Sequence, residues 1–470
     1  MKLYLKTFGC QMNEYDSARV TEALLGEGFS LAREPEEADL MIYNSCSIRE
    51  KAVEKLLSAV ARGARAKRAR PGALLCVTGC TAQLSPERLF EAVPDIDLLV
   101  GPDRYGELAG LVREARACRQ AGIGQRGSGR QEAPRQGVIG RREASGQILA
   151  IERQDVDGYR FLQARPAPGS ACPSAFVTIM KGCDNHCAYC VVPAARGPEV
   201  SRDGAEVLEE VRRLAEAGAR EVFLIGQNVN SYRGMEGGFP ALLRAVGEAG
   251  RPGGVARVRF TTSHPKDLGP ELVEAMARVP EVCEWLHLPV QAGATRVLAA
   301  MNRGYTREEY LRKVDMVRAA LPGVGITTDL IVGFPGETRA EFEETMSLLR
   351  EVRYDSFYSF RFSPRPRTPA ASLVDDVPLE EKQERLAELQ ALGAVITREI
   401  LAAQVGEVQE VLVEGPSKRG GGQLYGRSRR NHVINFGVPE GMEAPPLGTL
   451  VELEVTAAGS HTLEGRLVER

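Results

Sequence analysis

Short apolar runs alternate with helical stretches along most of this 470-residue chain, and that alternation limits the fold more than any other feature. Near the start, Lys2–Phe8, Asp39–Tyr43 and Ala73–Thr78 read as strands, with Ile96–Val100 as a further one. Helical stretches such as Ser17 to Gly26 lie between them. Strands separated by helices pair in parallel, so residues 1–117 are expected to form an open parallel α/β domain. A second alternation begins at Ser174. Its strand candidates are Ala175–Met180, Glu221–Ile225, Ala256–Phe260, Trp285–Leu288, Gly325–Val332 and Ser356–Phe360. Helical patterns such as Ala205–Ala217, Arg307–Ala320 and Arg339–Val352 separate them, which predicts a partial (β/α) barrel over 169–401.

The end of the chain changes character. From residue 404 onward no helical pattern remains, and Val408–Val413, Gln423–Tyr425, His432–Phe436 and Leu450–Val455 read as short strands of a small β-barrel over 404–470. Residues 118–168 are rich in Gly, Arg, Gln and Ala with few large apolar side chains, and read as a linker.

Lys and Arg number 60 against 63 Asp and Glu, so the chain as a whole is no polycation and any nucleic-acid signal must be local. No apolar run is long enough to cross a membrane, and Met1–Phe8 is too short for a secretory signal. The expectation is a cytoplasmic protein with no membrane partner. Its ten cysteines then serve ligation or packing rather than a disulfide framework.

Three of them fall in Cys183-Asp184-Asn185-His186-Cys187-Ala188-Tyr189-Cys190, a CxxxCxxC loop directly after the first barrel strand. A cubane iron–sulfur cluster takes one thiolate per iron, so three thiolates leave one iron open to a ligand that is not protein. Zinc with His186 as a fourth ligand is the other reading, and it would make the site structural. Active sites of parallel barrels lie at the carboxyl ends of the strands, where this loop falls. Cys10, Cys46 and Cys80 each follow a predicted strand of the first domain. The carboxyl ends of parallel strands line one crevice, so these three would meet there as a second three-cysteine site. The competing reading is three unrelated cysteines near turns.

The tail carries a local charge signal. Lys418, Arg419, Arg427, Arg429 and Arg430 lie between Gly415 and Pro439 with no acidic residue among them, beside Tyr425, His432 and Phe436. Basic residues with aromatic neighbours on a small β-barrel point to RNA binding, against the alternative of a solvated hairpin face.

With these pieces in place, the chain resembles the radical-SAM methylthiotransferases over everything but the linker. The CxxxCxxC loop resembles the family's radical-SAM cluster motif, flanked by Lys181-Gly182, Val191-Val192-Pro193, Arg196-Gly197 and Ser201-Arg202. Cys10, Cys46 and Cys80 match the ligands of its auxiliary cluster, and Leu424-Tyr425-Gly426-Arg427 with Val433-Ile434-Asn435-Phe436 resembles a TRAM domain. Phe8-Gly9-Cys10-Gln11-Met12-Asn13, Asn44-Ser45-Cys46-Ser47-Ile48-Arg49 and Gly226-Gln227-Asn228-Val229-Asn230-Ser231-Tyr232 are similar to one type within it. That type converts N6-isopentenyladenosine, 3′ of the tRNA anticodon, to its 2-methylthio form. Ser45 and Ala292 stand where the family usually shows threonine and serine, both small changes, and the linker is longer than is typical.

The resemblance implies two [4Fe-4S] clusters and S-adenosylmethionine as cofactors. The carbon–hydrogen bond at adenine C2 is not acidic, so its opening needs a radical that a cofactor supplies. It implies cofactor contacts from Gly226, Gln227, Ser263, Gln291, Asp329, Ile331, Gly333 and Glu337, although packing of the barrel mouth would account for the same residues. The implied partners are the anticodon stem-loop of tRNA, an electron donor of flavodoxin or ferredoxin type and a sulfur source, with the enzyme a monomer. Two other functions compete. One is a sister methylthiotransferase acting on threonylcarbamoyladenosine of tRNA or on a ribosomal-protein aspartate, which Gln11-Met12-Asn13 disfavours. The other is a non-catalytic iron–sulfur RNA-binding protein.

Overall fold

The computed structural model describes residues 1–47, 50–120, 140–142, 147–154, 158–164, 166, 172–439 and 441–468. Ile48 and Arg49 of the second cysteine motif, and most of the expected linker, lie outside the described residues. The chain divides into two compact units. The first is Met1–Arg165 with Lys181–Asp184 and Val191–Val200, and the second is Pro166–Met180, Asn185–Cys190 and Ser201–Arg470.

In the first unit, Lys2–Phe8, Leu40–Ser45, Leu74–Gly79 and Leu98–Val100 pair in parallel as neighbours in that order. Leu40–Ser45 and Leu74–Gly79 are buried throughout, as strands covered on both faces must be. Met41, Tyr43, Leu75 and Val77 face Leu56 and Val60 of the helix Glu50–Ala69. Leu40, Ile42, Leu74 and Cys76 face Val20, Leu24, Leu108 and Val112 on the other side.

The linker expected over 118–168 is corrected in part. Gln147–Ala150 adds a parallel strand beside Leu98–Val100, and Gly140–Arg142 pairs antiparallel with it. Beyond that strand, the Ile151 carbonyl accepts from Gln83 Nε2 at 2.8 Å, and Glu152 pairs with Arg104. Ile148 and Leu149 are buried, which is the driving force for this addition. The first domain therefore runs past residue 117, and the helix Leu108–Gln120 crosses that boundary.

The second unit holds six parallel strands: Ser174–Thr178, Glu221–Ile225, Arg257–Phe260, Trp285–His287, Gly325–Val332 and Ser356–Arg361. They form two three-stranded sheets. Val258 N–H to the Glu281 carbonyl (2.7 Å) and Cys283 N–H to the Val258 carbonyl (3.0 Å) join these into one arc. In Gly325–Val332 the residues Ile326, Thr328, Leu330 and Val332 are buried, while Asp329 and Ile331 are only half-buried on the opposite face. The side-chain alternation of a strand thus turns Asp329 and Ile331 toward the inner surface of the arc.

The helix Leu379–Ala402 leads into a closed five-stranded barrel made by Val408–Pro416, Leu424–Ser428, Val433–Phe436, Leu463–Leu467 and Leu450–Ala458. Its core includes Val411, Val413, Ile434, Phe436 and Leu453. The turn after Leu424–Ser428 sits at the amino-terminal ends of the six parallel strands. Buried Arg257 donates to the Arg427 carbonyl (2.6 Å), and buried Arg259 to the Arg429 and Ser428 carbonyls (2.8 and 2.7 Å). Arg429 pairs with Glu284 (2.7 Å), and Arg430 with Asp355 (2.6 Å).

This corrects the reading of the tail as uncompensated charge. The acids that answer its arginines come from elsewhere in the chain: Glu284, Asp355, Glu414 for Arg427 and Glu464 for Arg419. Arg429 and Arg430 brace the bottom of the parallel barrel, away from the strand ends where the cysteine loop lies. Lys418 is exposed and makes no ion pair with a described residue.

Candidate cluster and cofactor sites

Sheet register brings the first cysteine set together. Phe8 lies beside Ser45, and Ser45 beside Gly79. Cys46 and Cys80 follow one residue later and Cys10 two, with Cys46 N–H bonded to the Phe8 carbonyl at 2.8 Å. Two glycines make the approach possible. A Cβ on Gly9 would lie 2.6 Å from the Cys46 Cβ. Gly79 has φ +94°, and a Cβ there would lie 2.4 Å from Asn44 Oδ1. Buried Asn13 and Asn44 bond to each other (2.9 Å), and Asn44 also donates to Ser17 Oγ (2.9 Å).

Two charged residues unassigned from sequence complete this site. Arg196 is buried and donates to Asp16 Oδ2 at 2.7 Å. The Cys10 thiol is lowered to about 6, first by its hydrogen bond with Cys46 and then by Arg196, against the opposing effect of burial. Burial raises Cys80, and Arg196 opposes it. One guanidinium thus faces a group of thiols that must be anionic to ligate a metal. The sequence signal for Arg196 was its place in the Arg196-Gly197 flank. Asp16 is the sixth residue of the helix that Cys10 caps.

The CxxxCxxC loop is divided between the units, Cys183 with the first and Cys187 and Cys190 with the second, and each side is held by its own contacts. Cys183 N–H donates to the Gly197 carbonyl (3.2 Å). Gly182 has φ +73°, and a Cβ there would lie 1.8 Å from the Pro198 carbonyl oxygen. In the second unit Cys190 N–H bonds to the Cys187 carbonyl (3.0 Å), Ala188 N–H to Met301 (2.8 Å) and Ala370 N–H to Ala188 (2.8 Å). Buried Arg303 places Nη1 3.3 Å from Cys187 Sγ and donates Nη2 to the Pro289 carbonyl (2.7 Å). His264 Nε2 lies 3.8 Å from the same sulfur. Its pKa is depressed to about 2 by burial and by Arg303, Lys266 and Lys313, so it is neutral. Arg303 carried no signal in the sequence, because it lies more than a hundred residues from the loop.

His186 is exposed while Cys183 and Cys187 are buried, which argues against it as a fourth ligand. Among the described residues no three His, Cys, Asp or Glu side chains stand close enough to hold one metal ion. A cubane puts each thiolate on a different iron, so its ligands stand wider apart than those of a single ion. The three thiols of the first unit fit such a cluster better than they fit zinc.

The expected cofactor contacts divide. Gln291 takes a left-handed backbone (φ +78°), with its N–H on the Asp329 carbonyl (3.0 Å) and its carbonyl accepting from Ile331 (2.9 Å). These three residues therefore meet on the inner face. A strained non-glycine backbone held this firmly is common at ligand sites. Asp329 also faces His287, Oδ2 to Nε2 at 3.5 Å. Gly226 follows the strand Glu221–Ile225, where a Cβ would lie 2.4 Å from Met180, and Gln227 comes next. Ser263 is buried with no partner for its Oγ among the described residues, an open polar position of the kind a ligand fills. Glu337 is engaged through one oxygen: its Oε2 accepts from Gly333 N–H (2.6 Å) and Arg385 (2.7 Å) and closes the turn after the fifth barrel strand, while its Oε1 is buried with no partner among the described residues. Gly333 (φ +69°) takes part in that turn, packed on Lys382.

An arc of parallel strands with a CxxxCxxC loop, a cysteine-bearing α/β unit and a small β-barrel define a radical-SAM enzyme of composite build. Family models agree: the Radical SAM superfamily matches 177–349, Uncharacterized protein family UPF0004 matches 2–101 and the TRAM domain matches 402–468. The cofactors of this class are S-adenosylmethionine and [4Fe-4S] clusters. The chain is 44% identical to tRNA-2-methylthio-N(6)-dimethylallyladenosine synthase of Syntrophotalea carbinolica over 99% of both chains. It is 42% identical to the Methylococcus capsulatus protein of that name, over 99% of this chain and 95% of the relative. The chain belongs to the family of the tRNA-2-methylthio-N(6)-dimethylallyladenosine synthases. Among solved structures, the radical S-adenosylmethionine methyltransferase TsrM from Kitasatospora setae shares the fold. Its TM-score is 0.56 at 16% identity, over 87% of this chain and 80% of that one.

Proposed function

We propose that this protein converts N6-isopentenyl(dimethylallyl)adenosine, next to the anticodon on its 3′ side in tRNA, to the 2-methylthio derivative. The observation that carries this reading is the presence of two separate three-thiol sets. One is gathered by sheet register with Arg196 beside it, and the other lies on the loop at the strand ends of the barrel. Radical generation alone needs one set; holding sulfur for transfer accounts for the second.

In this reading Cys183, Cys187 and Cys190 hold the cluster that binds S-adenosylmethionine, and Cys10, Cys46 and Cys80 hold the auxiliary cluster. Bound S-adenosylmethionine supplies the radical that opens the adenine C2–H bond, and a second molecule supplies the methyl group. The chain's own residues position and shield. Gln291, Asp329 and Ile331 offer backbone and carboxylate on the inner face, Ser263 offers a hydroxyl, and Gly226 and Gln227 border them. Neutral His264 and Arg303 support Cys187 from behind. The enzyme works in the cytoplasm as a monomer, with a flavodoxin- or ferredoxin-type electron donor and an external sulfur source. No described helix is long and apolar enough to cross a membrane.

Nucleoside analysis of tRNA from a strain lacking this protein tests the assignment. The expected result is isopentenyladenosine without its 2-methylthio form; persistence of the methylthio form contradicts it.

A further inference from the structure

Arg429 and Arg430 are occupied in bracing the barrel and do not offer their charge freely to a polyanionic substrate. The strongest unanswered positive charge lies at the other end of the barrel. The last parallel strand ends at Arg361, and Arg365 and Arg367 follow it within six residues. None of the three side chains forms an ion pair or hydrogen bond with another described residue, and Arg361 and Arg367 are exposed. Most other arginines of this unit are answered by a carboxylate, as Arg339 is by Glu388 and Arg307 by Glu351.

The segment is built, not slack. Thr368 N–H and Oγ1 both donate to the Arg365 carbonyl (3.3 and 2.7 Å), closing a four-residue turn. Pro366 is its second residue, and Arg367 its third, with φ +64°. That is the type II arrangement, whose third position favours glycine. An arginine there costs backbone energy that glycine would not, and its side chain is held out at the tip. Two residues past the turn, Ala370 N–H bonds to the carbonyl of Ala188, between Cys187 and Cys190. Three residues of chain span at most about 11 Å, so Arg367 stands within one or two nucleotide lengths of the cysteine loop. Tyr358, in the middle of the same strand and beside Asp329 in register, is 59% exposed.

We propose that the turn Arg365–Thr368, together with Arg361, is a contact for the RNA phosphate backbone beside the reacting base. Arginine forks suit phosphate oxygens, and an exposed tyrosine offers a stacking face for a neighbouring base. The inference rests on the functional reading above. It locates the grip on the substrate at the cysteine-loop end of the barrel and not on the tail arginines Arg429 and Arg430. An acidic protein partner, such as the electron donor, would also suit bare arginines. The rigid turn and the exposed aromatic side chain favour RNA.

The test uses the full chain with both clusters reconstituted anaerobically, and tRNA carrying N6-isopentenyladenosine as probe. The double variant Arg365→Gln/Arg367→Gly is expected to bind this tRNA roughly tenfold more weakly. Its log K against log salt should be shallower by about 1.5, as removal of two phosphate contacts requires. Arg367→Gly alone should also lose affinity while its thermal midpoint holds or rises, because glycine suits that backbone. That pairing separates a contact from a folding defect. Unchanged affinity and slope overturn the inference. So does intact tRNA binding with weakened binding of reduced flavodoxin, which would assign the patch to a protein. If the wild type itself binds no tRNA, the functional reading falls and the inference with it.

Discussion

The two cysteine sets are assembled by opposite routes. Cys10, Cys46 and Cys80 are spread over seventy residues and meet only because three parallel strands align Phe8, Ser45 and Gly79. Cys187 and Cys190 are neighbours in sequence, and their turn is braced by backbone bonds to Met301 and Ala370. The first set exists only if the sheet folds. The second is local, and folding supplies its surroundings: Arg303, His264 and the inner face of the barrel. A site of the first kind should fail through backbone changes, and one of the second through loss of a ligand.

The largest effect expected is on the loop. Cys187→Ala should abolish release of 5′-deoxyadenosine from S-adenosylmethionine; activity that survives it removes the loop from radical chemistry. Next is Gly79→Ala, which touches no ligand. Its left-handed backbone alone costs an alanine about 1–3 kcal/mol, and the added Cβ would press on Asn44 Oδ1. Chemical denaturation of the first unit should show that loss, and the auxiliary iron should fall while the loop's iron stays. Equal loss from both sets would mean that they do not depend on separate supports.

A smaller effect is expected at the base of the barrel. Arg429→Ala breaks a half-buried pair with Glu284 and should cost about 1–2 kcal/mol of stability, while tRNA affinity stays near wild type. A fall in affinity without a fall in stability would return Arg429 to an RNA-binding role. The smallest effect is one of pH. Burial would raise the Asp355 carboxyl, but the His432 hydrogen bond and Arg430 outweigh it and hold the group below its ordinary value. A depressed folded-state pKa contributes stability above the unfolded value, near 3.9, and loses it as pH falls toward the folded one. Acid unfolding of the second unit should therefore steepen below about pH 4, and Asp355→Asn should flatten that limb. An unchanged limb would show that Asp355 is not what holds the tail in place.

The contrast also explains which parts of the molecule were legible in the sequence. Strand ends followed by cysteines could be read, because a parallel sheet sends its carboxyl ends to one edge whatever lies between. Gln291, Asp329 and Ile331 could be placed through the fifth barrel strand and the resemblance. Arg196, Asp16 and Arg303 could not be weighed, since each acts through a partner far away in the chain. The tail arginines read as uncompensated for the same reason: the acids that pair with Arg429 and Arg430, Glu284 and Asp355, lie well outside Gly415–Pro439. Glu337 reads as a cofactor contact, and Arg385, on the long helix, accounts for only one of its two oxygens. The strand Gln147–Ala150 was hidden by its polar, glycine-rich flanks, although Ile148, Leu149, Ala150 and Ile151 form an apolar run.

The central claim is that the first unit holds a cluster of its own through three thiols brought together by register. Iron and sulfide counting on anaerobically reconstituted protein tests it most directly, comparing the wild type with a variant in which Cys10, Cys46 and Cys80 are all replaced by alanine. The variant is expected to lose about four irons and about four sulfides and to keep about four of each on the CxxxCxxC loop. Equal iron in the two proteins would contradict it.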